Sequence, residues 1–253
     1  MAWCVPVCSV VASRLRSTSS DSLTNNKIHY RCYNWGKLRM IKADAETDLI
    51  WKDGFLFLGN QLALDFLNTR PVQNGELMEL LPDFSALLRW FRAAGLVSPR
   101  EAMHIEREWG QSREARQMLE QSRALRESLR KEVLGWEHSG SVHHATITDL
   151  NRLMAEHPMR TRLKEQGNER FPELYFTVLE PGDLFAPLAH SAAMLFTTVD
   201  RTRVRKCGQC VLHFLDTSKK GTRRWCSMQL CGNRLKVAAY ARRKRSAQSS
   251  ESQ

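Results

Sequence analysis

CGQCVLHFLDTSKKGTRRWCSMQLCGNR, residues 207–234, decides how this chain is organised. It holds four of the seven cysteines in 253 residues. The spacing is Cys207-x2-Cys210, fifteen residues, then Cys226-x4-Cys231. Two close pairs separated by a loop are what tetrahedral zinc requires. Each pair makes a tight turn, and the loop brings the turns together with sulfurs about 3.8 Å apart. A disulfide reading needs an oxidising compartment, and the N-terminus lacks the basic n-region of a secretory signal. A redox CxxC reading accounts only for Cys207 and Cys210. We therefore expect a structural Zn2+ held by Cys207, Cys210, Cys226 and Cys231. Four thiolates leave no coordination position for water, so a catalytic metal is not expected.

The charge is concentrated around these cysteines. Residues 201–245 carry 14 Lys and Arg and one acid, Asp216, a net +13. The other residues carry 24 Lys and Arg against 26 Asp and Glu, a net −2. Zinc with four thiolates is itself −2, and Arg205, Lys206, Arg223 and Arg224 offset that locally and favour thiolate. A large surplus remains. A near-neutral body with one strongly basic end points to a polyanionic partner, nucleic acid above all. A basic end that only aids solubility is the plainer alternative, but here the charge sits on a cysteine module.

After Cys231, the segment GNRLKVAAYARRKR has Asn233 as a candidate N-cap and no breaker from Leu235 to Arg245. Small residues let such a helix approach another surface closely. Arg234, Lys236, Arg242, Arg243, Lys244 and Arg245 project around it, which suits a DNA groove or a line of phosphates. Arg223 and Arg224 would hold phosphates or brace the cluster. Phe214, Trp225 and Tyr240 are few as stacking platforms, which weighs against single-stranded targets.

Working outward, residues 1–50 read as a disordered extension, with Met40 a candidate initiator. FLFLGNQLALDFLNTR, from Phe55, starts as a short strand and continues as a helix with Leu62, Asp65, Phe66 and Thr69 at helical spacing. A helix follows from about Pro82 to Ala94, with Gly95 in a left-handed position after it. Ser98-Pro99-Arg100-Glu101 is a capping box that opens a helix through Trp109. From Arg113 to Trp136, one face carries Ala115, Met118, Leu119, Ser122, Leu125, Leu129 and Val133, and the charged face is expected to be solvated. His143 and His144 read as loop. Another helix is expected from Thr148 to Glu156, then a polar stretch, a strand over Leu174–Leu179 and an apolar helix over Leu184–Val199. The predicted fold is mainly α with a few short strands (α+β). A body over 51–200 is followed by a four-cysteine zinc finger over 201–245 ending in a basic helix, and a tail over 246–253. No apolar run is long enough to span a bilayer, so no membrane role is expected.

Cys207-x2-Cys210, Phe214-x-Asp216-x-Ser218, Arg223 to Met228 and Cys231-Gly232-Asn233-Arg234-x-Lys236 resemble the CGNR-type zinc finger. Leu64 to Thr69 and Leu87 to Leu96 resemble the ABATE domain, which precedes that finger in a family of predicted stress-induced transcription regulators. The resemblance covers roughly residues 55–245. It implies zinc and suggests binding to double-stranded DNA and transcription regulation; separately, a cytoplasmic location is expected.

The body would then sense or dimerise. Asp65, Asn68 and Arg70 are candidate ligands for a small-molecule effector, although Asp65 and Asn68 also suit a local brace. His190 fits a packed histidine, and His213 is spare once four cysteines complete the site. No GxSxG, Gly-rich phosphate loop or HExxH is present, so the chain is not expected to be an enzyme. The other class of reading is a small-molecule-binding or enzymatic body with the finger as a docking module for protein or RNA. A single finger buries a small interface, which makes a homodimer the expected way to gain specificity.

Overall fold

The computed structural model describes residues 51–73, 76–228 and 231. The extension expected over 1–50, the helix expected from Asn233 to Arg245 and the tail after it lie outside the described residues.

The chain begins with a hairpin of β1 (Trp51–Lys52) and β2 (Phe55–Leu56) and enters α1 (Leu62–Leu67). A second hairpin, β3 (Val72–Gln73) and β4 (Glu76–Leu77), leads to α2 (Phe84–Ala93), α3 (Pro99–Trp109), α4 (Arg113–Ser139) and α5 (His144–Glu156). A longer hairpin follows, β5 (Arg160–Gln166) and β6 (Glu169–Tyr175), then a 3-10 turn and α6 (Phe185–Thr198). A last hairpin, β7 (Val204–Lys206) and β8 (His213–Leu215), carries the cysteines. Each strand pair is antiparallel, and the four pairs stand apart as two-stranded ribbons. The class is thus mainly α with short strands, as predicted.

Helix α1 is short, and all six of its residues are buried. The side chain of Gln61 caps it by accepting from Leu64 N, and also donates to Ser191 O and Oγ on α6 at 2.6 and 2.9 Å. Gly59 lies just before it because a Cβ there would sit 2.7 Å from the Asp65 backbone nitrogen, which cannot give way as a flexible side chain could. Around α1, fully buried Trp90 on α2 meets Phe57, Phe66 and Phe91 with ring centres 5.2–6.1 Å apart. Large aromatic side chains buried this way contribute on the order of 1.5–3 kcal/mol each.

The local signals for α2 and α3 hold. Asp83 caps α2, Gly95 has φ 75°, and Ser98 and Glu101 form both bonds of the capping box. Three expectations need correction. First, α5 begins at His144, not Thr148. Its N-cap His143 makes no side-chain cap; instead Glu132 on α4 accepts from His143 N at 2.8 Å and from Thr146 Oγ1 at 2.7 Å. Second, the polar stretch after Pro158 is strand. β5 pairs with β6 from Arg160↔Tyr175 to Gln166↔Glu169, and Glu173 is held by Arg162 and Lys164. The strand expected over Leu174–Leu179 therefore lies earlier. Third, not every charge on α4 is solvated, because one sits on its buried stripe. Arg126 is 1% exposed and clamps Glu79 at 2.8 and 2.5 Å, with Thr69 Oγ1 at 3.0 Å and Glu127 at 3.0 Å. This ties α4 to the chain leaving α1.

Candidate metal centre and nucleic-acid interface

The hairpin of β7 and β8 forms the first half of the finger. Its register pairs Val204↔Leu215, Arg205↔Phe214 and Lys206↔His213. Cys207 N donates to Leu212 O at 2.8 Å, which closes the turn holding Cys207 and Cys210. The second turn is tied to the first by Gly208 N to Arg224 O at 3.2 Å, and Cys231 N donates to Ser227 O at 3.0 Å. The four sulfurs lie within 4.8 Å of one another. Cys210–Cys226 is 3.7 Å, Cys226–Cys231 is 3.6 Å and Cys231–Cys210 is 3.7 Å. A tetrahedron built on zinc–sulfur bonds of about 2.3 Å has edges of about 3.8 Å. A disulfide needs about 2.05 Å, and the four cysteines are free. The arrangement is a four-thiolate structural zinc site, with Cys207, Cys210, Cys226 and Cys231 as ligands.

The electrostatics agree. Hydrogen bonds from the Cys210 and Cys226 thiols push the Cys207 pKa down, and the same contact with Cys207 pushes Cys210 up to about 12. Contact with Cys207 and Cys210 also raises Cys226, and burial raises Cys231. Sulfurs this crowded cannot all ionise unless a dication sits among them, so metal binding and deprotonation go together.

The basic residues divide into two sets. Arg223 is turned inward: its guanidinium lies 4.7 Å over the Phe214 ring, its Nε donates to Trp225 O at 2.8 Å, and its Nη2 donates to Cys226 O. Of its two expected roles, the described geometry provides the brace. Asp216, fully buried, accepts from Ser218 N and Arg223 N at 2.9 and 2.8 Å. Burial works against its charge, but hydrogen bonds from Ser218 and Arg223 outweigh it and hold the carboxyl below its usual range. Arg224 instead stacks outward on Trp225 at 5.3 Å. Arg205, Lys206, Lys219, Lys220 and Arg224 are exposed. Among the described residues, none of these five lies within ion-pair distance of an acid. Arg234, Lys236, Arg242, Arg243 and Arg245 lie outside the described residues.

The finger is not a free appendage. Leu56 and Leu58 of the body share a buried cluster with Cys207, Leu212, Phe214, Cys226 and Cys231. Leu215 N donates to Gly59 O at 2.8 Å, and Asn60 Nδ2 donates to Leu215 O at 3.0 Å. Asn68, 1% exposed, uses both halves of its amide on the backbone of His213, each at 2.8 Å. Asp65 accepts from Gly59 N at 2.7 Å. Thus Asp65 and Asn68 act as braces, Asp65 within a turn and Asn68 across the seam. Arg70, paired with Glu127 at 3.3 Å, borders a cavity. The leucines and Asn68 were not expected to hold the finger, since neither apolar periodicity nor a lone Asn says which element it meets. His190 is half-buried, and burial lowers its pKa. His213 is buried with its ring away from the metal set. A second group, His157, Glu180 and Asp183, also has metal-like spacing. Asp183 there accepts from Leu179 N and Glu180 N, which makes it a turn cap.

Among the described residues no helix is long and apolar enough to cross a membrane. No curated protein matches the chain. Residues 203–244 match the CGNR zinc finger, and residues 60–199 match ABATE, described as "Putative stress-induced transcription regulator". The ABATE match spans more than half of the sequence and the finger match brackets all four ligands, so the chain belongs to the ABATE family and carries a CGNR zinc finger after its ABATE domain.

Proposed function

We propose that this protein is a zinc-dependent DNA-binding transcription regulator whose ABATE body senses a small molecule or mediates dimerisation. The observation that carries the reading is the charge of the finger, +13 over residues 201–245 against −2 elsewhere. Five of its cations are exposed, and none lies within ion-pair distance of an acid among the described residues. Zinc would hold the two cysteine turns in place, so that Arg224, Lys219 and Lys220 on the connecting loop and Arg205 and Lys206 on β7 keep fixed positions for phosphates. Arg234, Lys236, Arg242, Arg243 and Arg245, outside the described residues, add to this charge in sequence and would supply further contacts to DNA. Arg223 supports the ligand turn from within. No nucleophile–base set is part of this reading, and the protein is taken to act without catalysis. A cytoplasmic location fits a site that needs four reduced thiols.

The test is fluorescence anisotropy of the full-length zinc-loaded protein on random-sequence duplex DNA, with the Lys219→Glu/Lys220→Glu/Arg224→Glu variant alongside. Binding that is lost on chelation and weakened at least about tenfold by the triple reversal is expected. Equal binding by the variant with its zinc retained would remove the finger from the interface.

A further inference from the structure

We propose that the cavity at the seam between body and finger is a binding site for a small organic anion with a compact apolar part, in class an aromatic or branched-chain carboxylate. The cavity is about 210 Å³. Its basic wall is Arg70, Arg130 and Lys206. The one acid in that wall is Glu127, already shared by Arg70 at 3.3 Å, Arg126 at 3.0 Å and Arg130 at 3.4 Å. The wall therefore keeps a positive surplus.

His213 gives the second, independent indication. It is 1% exposed and belongs to the cavity wall. Its backbone is fully used by Asn68, yet neither ring nitrogen has a hydrogen-bond partner among the described residues. Its nearest acid, Glu137, is 3.9 Å away, and Glu137 Oε1 also lacks a partner there. Buried polar atoms are nearly always satisfied, so an orphaned imidazole beside a cavity marks a place where a polar group binds. Burial, with Arg130 and Lys206 nearby, lowers its pKa to about 4. The neutral ring offers one N–H donor to a carboxylate oxygen.

The rest of the wall sets the ligand's other half. Leu77, 56% exposed, stands beside Leu134 and Val211. These present apolar surface to the occupant, whereas a bare phosphate would leave it uncovered. The volume is below that of pockets for drug-sized ligands, roughly 300–1,000 Å³, so the apolar part is a single ring or short branched chain.

Position adds a consequence. Arg70, Leu77, Arg130 and Leu134 belong to the body; Lys206, Val211 and His213 belong to the finger. An occupant touches both sides of the seam. That it acts as an effector rests on the regulator reading above; that it binds does not.

The experiment is isothermal titration of benzoate into the full-length zinc-loaded protein without DNA, with inorganic phosphate and benzyl alcohol as comparison probes. One saturable site for benzoate with Kd below about 1 mM is expected, and no binding of benzyl alcohol. Arg70→Gln, at a half-exposed position, should weaken benzoate about tenfold or more while zinc content and unfolding midpoint stay level. Lys206→Gln serves as a second variant with the same expected direction. Absence of saturable benzoate binding, undiminished binding in both variants, or binding of phosphate alone would overturn the proposal. Because no DNA is present, loss of this site and loss of DNA binding are separate results.

Discussion

Glu137 and His213 face each other across 3.9 Å, and their shifts act on stability in opposite directions. Burial raises Glu137 from 4.5 to about 7, so the folded state keeps a proton that the unfolded chain gives up. Its contribution falls as pH rises from 4.5 to 7. Burial lowers His213 from 6.5 to about 4, so the folded state refuses a proton that the unfolded chain takes. Its contribution falls as pH drops from 6.5 to 4. Between 4.5 and 6.5 the two slopes oppose. Zinc-saturated protein also takes up protons on the cysteine thiols freed by unfolding, a slope common to wild type and variants. Glu137→Gln removes the acid's slope, so by urea denaturation that variant should lose about 1 kcal/mol more than the wild type on acidification from about pH 6.5 to 5.5. Parallel wild-type and variant profiles would contradict the pairing. Asn68 makes the second prediction. Asn68→Ala strands the buried N–H and C=O of His213 and should cost about 3 kcal/mol by chemical denaturation; a loss under about 1 kcal/mol would show that the seam does not depend on it. The type and spacing of Cys207, Cys210, Cys226 and Cys231 were legible from sequence because ligand chemistry is local. The partner of Asn68 was not, because it lies 145 positions along the chain.

Among the elements, α4 shows what patterning can and cannot carry. Arg126 sits four residues after Ser122 and three before Leu129, on the same stripe of buried positions. The spacing was available, but its charge argues for solvent, and only the fold supplies Glu79 and Thr69 as partners. Breaking a buried ion pair is expensive because it leaves the other partner uncompensated. Arg126→Met should cost about 3 kcal/mol, less than for a fully buried pair because Glu79 keeps 30% of its side chain exposed. A calorimetric midpoint unchanged in the variant would contradict the clamp. α2 and α3 were readable because Asp83, Gly95 and Ser98 act within one turn. The start of α5 was hidden because Glu132 caps it from another helix. The β5–β6 ribbon was hidden because β5 has no apolar alternation: Leu163 is its one aliphatic residue, and charged pairs such as Arg162↔Glu173 and Glu165↔Arg170 help hold the register.

At the scale of the whole molecule, the finger borrows its core. Zinc and four cysteines leave little apolar volume in so short a module, and Leu56 and Leu58 of the body complete it. Zinc-binding energy in such a module is largely folding energy, so damage to the body's side of the seam should appear at the metal. Leu58→Ala should cost about 2–4 kcal/mol and weaken zinc affinity in chelator competition by about thirtyfold or more. Unchanged competition would mean that the finger folds without the body. The central claim is that this seated, zinc-held finger carries its surplus charge to duplex DNA. Its most direct test is the salt dependence of duplex binding by the full-length zinc-loaded protein. A finger holding about five phosphates gives a slope near −4.5 for log Kobs against log salt, from about −0.9 per phosphate. A flat response, or no duplex binding at low salt with zinc in place, would contradict the account.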